Sequence, residues 1–89
     1  YRVILKEAFE TRLDIRGKYV NEIAELLENF IYEGHINSVN DLTIVHGKGT
    51  GSLRKSVHVI LKTNKYVGNF RLGNWNEGDS GVTIVELKK

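Results

Sequence analysis

The segment His46-Gly47-Lys48-Gly49-Thr50-Gly51 follows an apolar run, Leu42-Thr43-Ile44-Val45, and leads into residues with helical spacing, Leu53-Arg54-Lys55-Ser56-Val57. A strand must therefore become a helix within a few residues. That constraint selects an architecture in which strands and helices alternate. The turn also has a chemistry, since three glycines alternate with a base, a cation and a hydroxyl. The first N–H groups of a helix lack intrahelical partners and stand at the positive end of its dipole. Anions, phosphate above all, are stabilised in such a place. The plain alternative is a tight strand-to-helix turn with no ligand.

The rest of the chain extends this pattern. Residues 12–16 alternate, with Leu13 and Ile15 on one side and Arg12, Asp14 and Arg16 on the other, which predicts a short strand. Val20, Ile23, Leu27, Phe30 and Ile31 form the buried stripe of a helix over 19–34, ended by Gly34. A strand over 41–46 follows. A helix over 51–63 comes next, capped by Thr50 or Ser52 and buried along Leu53, Val57, Ile60 and Leu61, with Arg54, Lys55, His58 and Lys62 facing outward. Strands over 66–72 and 82–88 flank a polar loop, 73–81. The expected order is βαβαββ: an α/β chain of the α+β two-layer type, with a mixed four-stranded sheet and both helices on one face. Each strand–helix–strand unit implies parallel neighbours, and the last strand runs antiparallel to the one before it.

Eighty-nine residues make one domain. No apolar run approaches the ~20 residues needed to span a bilayer, so no membrane partner is expected. Cysteine is absent, which excludes disulfides and thiolate metal sites and fits a cytoplasmic protein. The chain starts at Tyr1 and has no methionine, as expected of a domain excised from a larger protein. Residues 1–10 then read as a linker end or N-terminal extension, and 11–89 as the domain. Residues 1–45 carry five cations against eight acids, whereas 46–89 carry eight cations against three. The basic half begins at the glycine loop, which favours a polyanionic partner over charge kept only for solubility.

Three constellations carry candidate chemistry. The glycine loop is not a nucleotide P-loop, because Lys48 comes too early, nor a dinucleotide fingerprint, whose third glycine is missing. Gly47, Lys48, Gly49, Thr50 and Gly51, with Arg54 and Lys55, remain as phosphate contacts. Asp14 and Arg16 share a strand face near its C-terminal end, where open sheets form sites, and His46 ends the second strand. If those strands are parallel neighbours, Arg16 and His46 meet at one rim. Arg16 would grip a phosphate and stabilise charge building on it. His46 could move a proton, and Asp14 could orient Arg16 or a water, or hold a divalent ion. The bland alternative is a surface Asp14–Arg16 pair. In the loop 73–81, Trp75 would stack on a base or fold over the sheet edge. Glu77 and Asp79 are either metal ligands or solvated acids. His35 and His58 read as ordinary surface residues.

Taken together, Leu13-Asp14-Ile15-Arg16-Gly17, His46-Gly47-Lys48-Gly49-Thr50-Gly51 and Gly78-Asp79-Ser80-Gly81-Val82-Thr83-Ile84-Val85-Glu86-Leu87 resemble the Smr (small MutS-related) domain, over residues 11–88. The chain looks most like the version at the C-terminus of the second type of bacterial MutS protein, because Arg16 stands where many Smr domains have His. The resemblance implies a βαβαββ sandwich that binds DNA or RNA and nicks or cleaves it, in some members with a divalent ion such as magnesium or manganese. It assigns that activity to Asp14, Arg16, His46, Gly47 and Gly49. It also implies a larger MutS-type polypeptide with an ATPase core, linked to branched recombination intermediates and to ribosomes. The family often has two glycines where this chain has Gly78-Asp79, so Asp79 adds negative charge beside the expected phosphate site. The expectation is a sequence-nonspecific nicking endonuclease. The alternative is a non-catalytic DNA-, RNA- or ribosome-binding module. A protein-docking domain, resting on the acidic first helix, stands third.

Overall fold

Residues 9–88 are described by the structure, a computed structural model. The elements are β1 (Arg12–Asp14), α1 (Val20–Ile36), β2 (Asp41–Val45), α2 (Ser52–Thr63), β3 (Val67–Leu72) and β4 (Val82–Leu87), with a 3-10 turn at Asp79–Gly81 leading into β4. The sheet order is β1-β2-β4-β3. β1 runs parallel to β2, and β4 is antiparallel to both of its neighbours. This is the mixed four-stranded α+β sandwich expected from the pattern.

One topological expectation fails. β1-α1-β2 joins parallel neighbours, but β2-α2-β3 does not, because β4 lies between β2 and β3. The reason lies in burial. β4 is buried at Val82, Thr83, Ile84, Val85 and Leu87, whereas β3 buries only Val67 fully. The strand with two apolar faces takes the interior slot and pairs on both edges.

Side-chain alternation sorts the sheet into two faces. Ile15, Leu42, Ile44, Val85 and Leu87 join Ile23, Leu27, Phe30 and Ile31 of α1 and Val57 and Leu61 of α2 in the main core. Val45, Val82 and Ile84 form a smaller cluster. The helical stripes differ from expectation at their ends. Val20 is 48% exposed. Leu53 and Ile60 are only partly buried against the core. α1 runs through Gly34, which is buried against Leu42 and Leu87, and stops at Asn37, whose N–H donates to the Glu33 carbonyl. The packed chain includes Phe9, whose ring stacks on Phe30. Residues 1–8, most of the expected linker, lie outside the described residues.

The functional rim follows from the β1–β2 pairing. Asp14 lies opposite Val45, and the Ile15 N–H donates to the Val45 carbonyl at 2.8 Å, although regular strand ends at Asp14. Ile15 is fully buried. It anchors the chain between Asp14 and Arg16, and truncating it to alanine would cost ~2–5 kcal/mol.

Candidate functional site

Arg16 and His46 emerge side by side where β1 and β2 end. Both line one cleft of about 260 Å³ with Gly17, Gly47, Gly49, Thr50, Gly51, Ser52, Leu53 and Arg54. Arg16 is held by Asp14. Its Nε donates to Oδ1 at 3.0 Å, its Nη2 donates to Oδ2 at 2.6 Å, and its backbone N–H donates to Oδ1 at 3.0 Å. The Arg16 guanidinium and backbone N–H hold the Asp14 carboxyl at about 2, below its ordinary 3.8. This clamp leaves Nη1 without a partner among the described residues, so one edge of the guanidinium is free for a two-pronged contact. The Arg16 stem lies against Gly47. A Cβ there would sit 3.4 Å from Arg16 Cγ, and Gly47 has a φ of +81°.

The amides of the glycine loop divide into a tethered pair and a free run. The N–H groups of His46 and Gly47 both donate to the Gly81 carbonyl, at 3.1 and 2.9 Å, which ties the loop to the start of β4. Among the described residues, the amides of Gly49, Thr50 and Gly51 have no protein partner. Neither Thr50 nor Ser52 caps α2. The N-cap is Gly51 in the left-handed region, and the two hydroxyls bond each other at 3.0 Å. The contrast with α1 is informative, because there Glu22 reaches back to the Tyr19 N–H at 2.8 Å. α2 has no acid in its first turn. Instead it carries Arg54, whose Nη2 lies 2.9 Å from where a Gly51 Cβ would stand. A cation at a helix N-terminus opposes the dipole by ~0.3–1 kcal/mol. An uncapped end with an arginine folded over it is an arrangement that an anion would satisfy on both counts.

His46 is only 4% exposed, and both of its ring nitrogens are engaged. Nδ1 lies 2.9 Å from the Gly47 carbonyl oxygen and Nε2 lies 2.8 Å from Thr83 Oγ1. A carbonyl only accepts, so Nδ1 carries the proton and Nε2 accepts from the Thr83 hydroxyl. The same hydroxyl lies 2.9 Å from His58 Nε2, which must then donate to it. His58 is therefore no ordinary surface residue. Burial first, then the charges of His46, Arg54 and Lys62, push its pKa down from 6.5. Thr83 was the one signal in the sequence for this chain of bonds: a hydroxyl inside the apolar run 82–85, which a core position accepts only with a partner.

A family model described as the Smr domain matches residues 13–88. This chain belongs to the Smr domain family. The crystal structure of the Smr domain of Thermus thermophilus MutS2 superposes with a TM-score of 0.86 at 33% identity, covering 89% of this chain and 99% of that one. YdaL, a stand-alone small MutS-related protein from Escherichia coli, shares the fold, with a TM-score of 0.84 at 20% identity over 97% of this chain and 82% of that one. Endonuclease MutS2 of Ruminiclostridium cellulolyticum is 41% identical over 78 residues, 88% of this chain. The chain spans about a tenth of the length of the curated relatives it matches.

Within this Smr domain, the other residues singled out by sequence are dispersed. Lys55 lines a separate groove with Val20, Ala24 and Val59 between the helices, away from the glycine loop. Lys48 borders a second cleft with Arg12, Arg16, Gly47 and Gly81, and its Nζ donates to Asp79 Oδ2 at 3.2 Å. Trp75 does not fold over the sheet edge, being 88% exposed. It stands on a turn fixed by Glu77, which accepts from both Nη atoms of Arg71 and from the Asn74 N–H. Those bonds hold the Glu77 carboxyl at about 2. Asp14, Glu77 and Asp79, the candidate metal ligands, are each paired with their own cation. No three His, Cys, Asp or Glu side chains converge on one point among the described residues. The residues present do not fit a divalent ion. His35 stacks on Tyr66 at the far end of α1, with ring centroids 4.2 Å apart. No helix among the described residues is long and apolar enough to cross a membrane.

Proposed function

We propose that this Smr domain is a sequence-nonspecific endonuclease that nicks DNA, branched intermediates included, as part of a larger MutS-type polypeptide. The observation that carries the reading is the shared cleft. The free edge of Arg16, the unpartnered amides of Gly49, Thr50 and Gly51, and Arg54 all surround one space the size of a phosphate group and its first neighbours. Relatives bearing the name Endonuclease MutS2 support it.

In this reading a backbone phosphate sits between the Arg16 guanidinium and the N-terminal end of α2. Negative charge building on its oxygens as water attacks is stabilised by donors already in place. Asp14 orients Arg16. It is not the base, because its oxygens are occupied and a carboxylate held at about 2 is a poor proton acceptor. His46 supplies the Nδ1 proton to the departing oxygen. Arg12 and Lys48 extend the positive track along the strand, and Trp75 offers a face for an unpaired base. No step is routed through a divalent ion, since the carboxylates do not assemble a site for one.

One observation favours a second reading, a binding module for DNA, RNA or the ribosome without chemistry of its own. Neither ring nitrogen of His46 is free in the resting structure. Incubating the chain with supercoiled plasmid and with structured RNA, with magnesium, manganese or chelator, separates the two. The nuclease reading expects nicking by the wild type and none by Arg16→Ala or Asp14→Ala of unchanged fold. Binding without cleavage under every condition selects the module.

A further inference from the structure

We propose that Thr83 and His58 are positioning residues that set the tautomer of His46 and feed a compensating proton to its Nε2 from the solvent side; this rests on the nuclease reading above. His46 is enclosed, so the charge left by giving its Nδ1 proton to a substrate must be offset during that step by a proton taken at Nε2 from its bonded partner. The route that supplies it is continuous. The Nδ1–H of His46 donates to the Gly47 carbonyl on the glycine-loop side, and the Thr83 hydroxyl donates to its Nε2 on the interior side. His58 Nε2–H donates to Thr83 Oγ1, which is fully buried and has no other route to water. His58 is half-buried, and its Nδ1 has no protein partner among the described residues. Every direction in this chain follows from one fixed acceptor, the Gly47 carbonyl.

The proton traffic balances. Water attacks phosphorus, the new P–O bond forms and the bond to the leaving oxygen breaks, and that oxygen takes the Nδ1 proton of His46. Nε2 takes the Thr83 hydroxyl proton, Thr83 takes the Nε2 proton of His58, and His58 takes one from solvent at Nδ1. The proton shed by the attacking water returns to His46 Nδ1, and the chain reverses, releasing one proton from His58. No other reactant is required.

The surroundings suit a carrier that stays neutral at rest. His58 faces His46 across Thr83 and Phe70 of β3 at a ring distance of 5.0 Å, with Arg54 and Lys62 on its own helix; none of these is an acid. Its charged form is thereby disfavoured, so a proton entering at Nδ1 is passed inward rather than held.

Two measurements test the inference. The first reads the imidazole nitrogens of the 15N-histidine-labelled chain above neutral pH. The expected result is an Nδ1–H tautomer at His46 and an Nε2–H tautomer at His58. Thr83→Val should release the His46 Nε2 hydrogen bond, while Thr83→Ser keeps it. The opposite tautomer at either histidine overturns the relay, whether or not the domain cuts nucleic acid. The expected tautomers in a chain that cuts nothing would keep the bonded chain and overturn the nuclease reading instead. The second follows single-turnover nicking by His58→Ala. The rate constant should fall about a hundredfold, the low end of what a positioned proton carrier contributes, with affinity for DNA held and with partial rescue by imidazole in the buffer. An unchanged rate, or a loss that imidazole does not restore, contradicts it.

Discussion

Asp79 is an acid placed against Lys48 of the cationic track, and replacing it should tighten nucleic-acid binding. Lys48 Nζ donates to its Oδ2 at 3.2 Å, and both side chains are more than half exposed. Such a pair adds little to stability, so Asp79→Asn should leave the fold intact. The backbone agrees, since Asp79 has a φ of +56° and asparagine tolerates the left-handed region well. Freeing Lys48 adds up to one phosphate contact. Each contact with duplex DNA steepens the fall of log affinity with log salt by ~0.9. At 0.1 M salt that contact is worth up to about 8-fold relative to 1 M, and between about 50 and 200 mM it adds a further loss of about 3.5-fold. Fluorescence anisotropy with a labelled duplex, titrated across that salt range, reads both quantities. Equal affinity and an equal slope for Asp79→Asn and wild type would mean that Lys48 does not meet phosphate, and the track would end at Arg16.

Other perturbations separate the parts of the site. Trp75→Ala should weaken binding to single strands by ~1–3 kcal/mol while leaving duplex binding and the melting temperature unchanged, because its ring touches no core; anisotropy on both substrates and a thermal melt check this. Gly47→Ala should cost ~1–3 kcal/mol in a denaturant titration, from a strained φ of +81°, while its Cβ meets the Arg16 stem only at ordinary contact distance and leaves Arg16 in the cleft. The depressed pKa of His58 means the unfolded chain takes up its proton near the ordinary 6.5 while the folded chain resists it. Stability should therefore fall as pH drops below that value, and His58→Gln should flatten the slope in urea titrations run from about pH 5 to 8. Asp14 acts in the same direction but at much lower pH. Its stabilising clamp on Arg16 is complete above 3.8 and is lost only as pH falls through about 2, so it adds no limb to a pH–rate profile near neutrality.

Much of the fold was written in local pattern. Alternation over Arg12–Arg16, helical spacing from Ile23 to Ile31 and the glycine-rich turn were enough for element order, and the β1–β2 parallel pair placed Arg16 beside His46. The insertion of β4 between β2 and β3 was not legible, because it depends on which strand has two buried faces, a property of the assembled sheet. The same limit applies to the site. Asp14, Arg16 and the loop lie close in sequence or at adjacent strand ends. His58 and Thr83 reach His46 only once α2 packs on β4. Lys55 lies apart from the glycine-loop cleft for a simple helical reason: it sits one residue after Arg54 and so lines the groove toward α1.

The central claim is that the Arg16 guanidinium and the N-terminal amides of α2 surround one phosphate. Titrating the 15N-labelled chain with a short oligonucleotide tests it directly. The largest amide shifts should fall on Gly49, Thr50, Gly51, Leu53 and Arg54, together with the Arg16 side-chain Nε. Shifts confined to the opposite end of the sheet, around His35, Asn40 and Lys88, would contradict it.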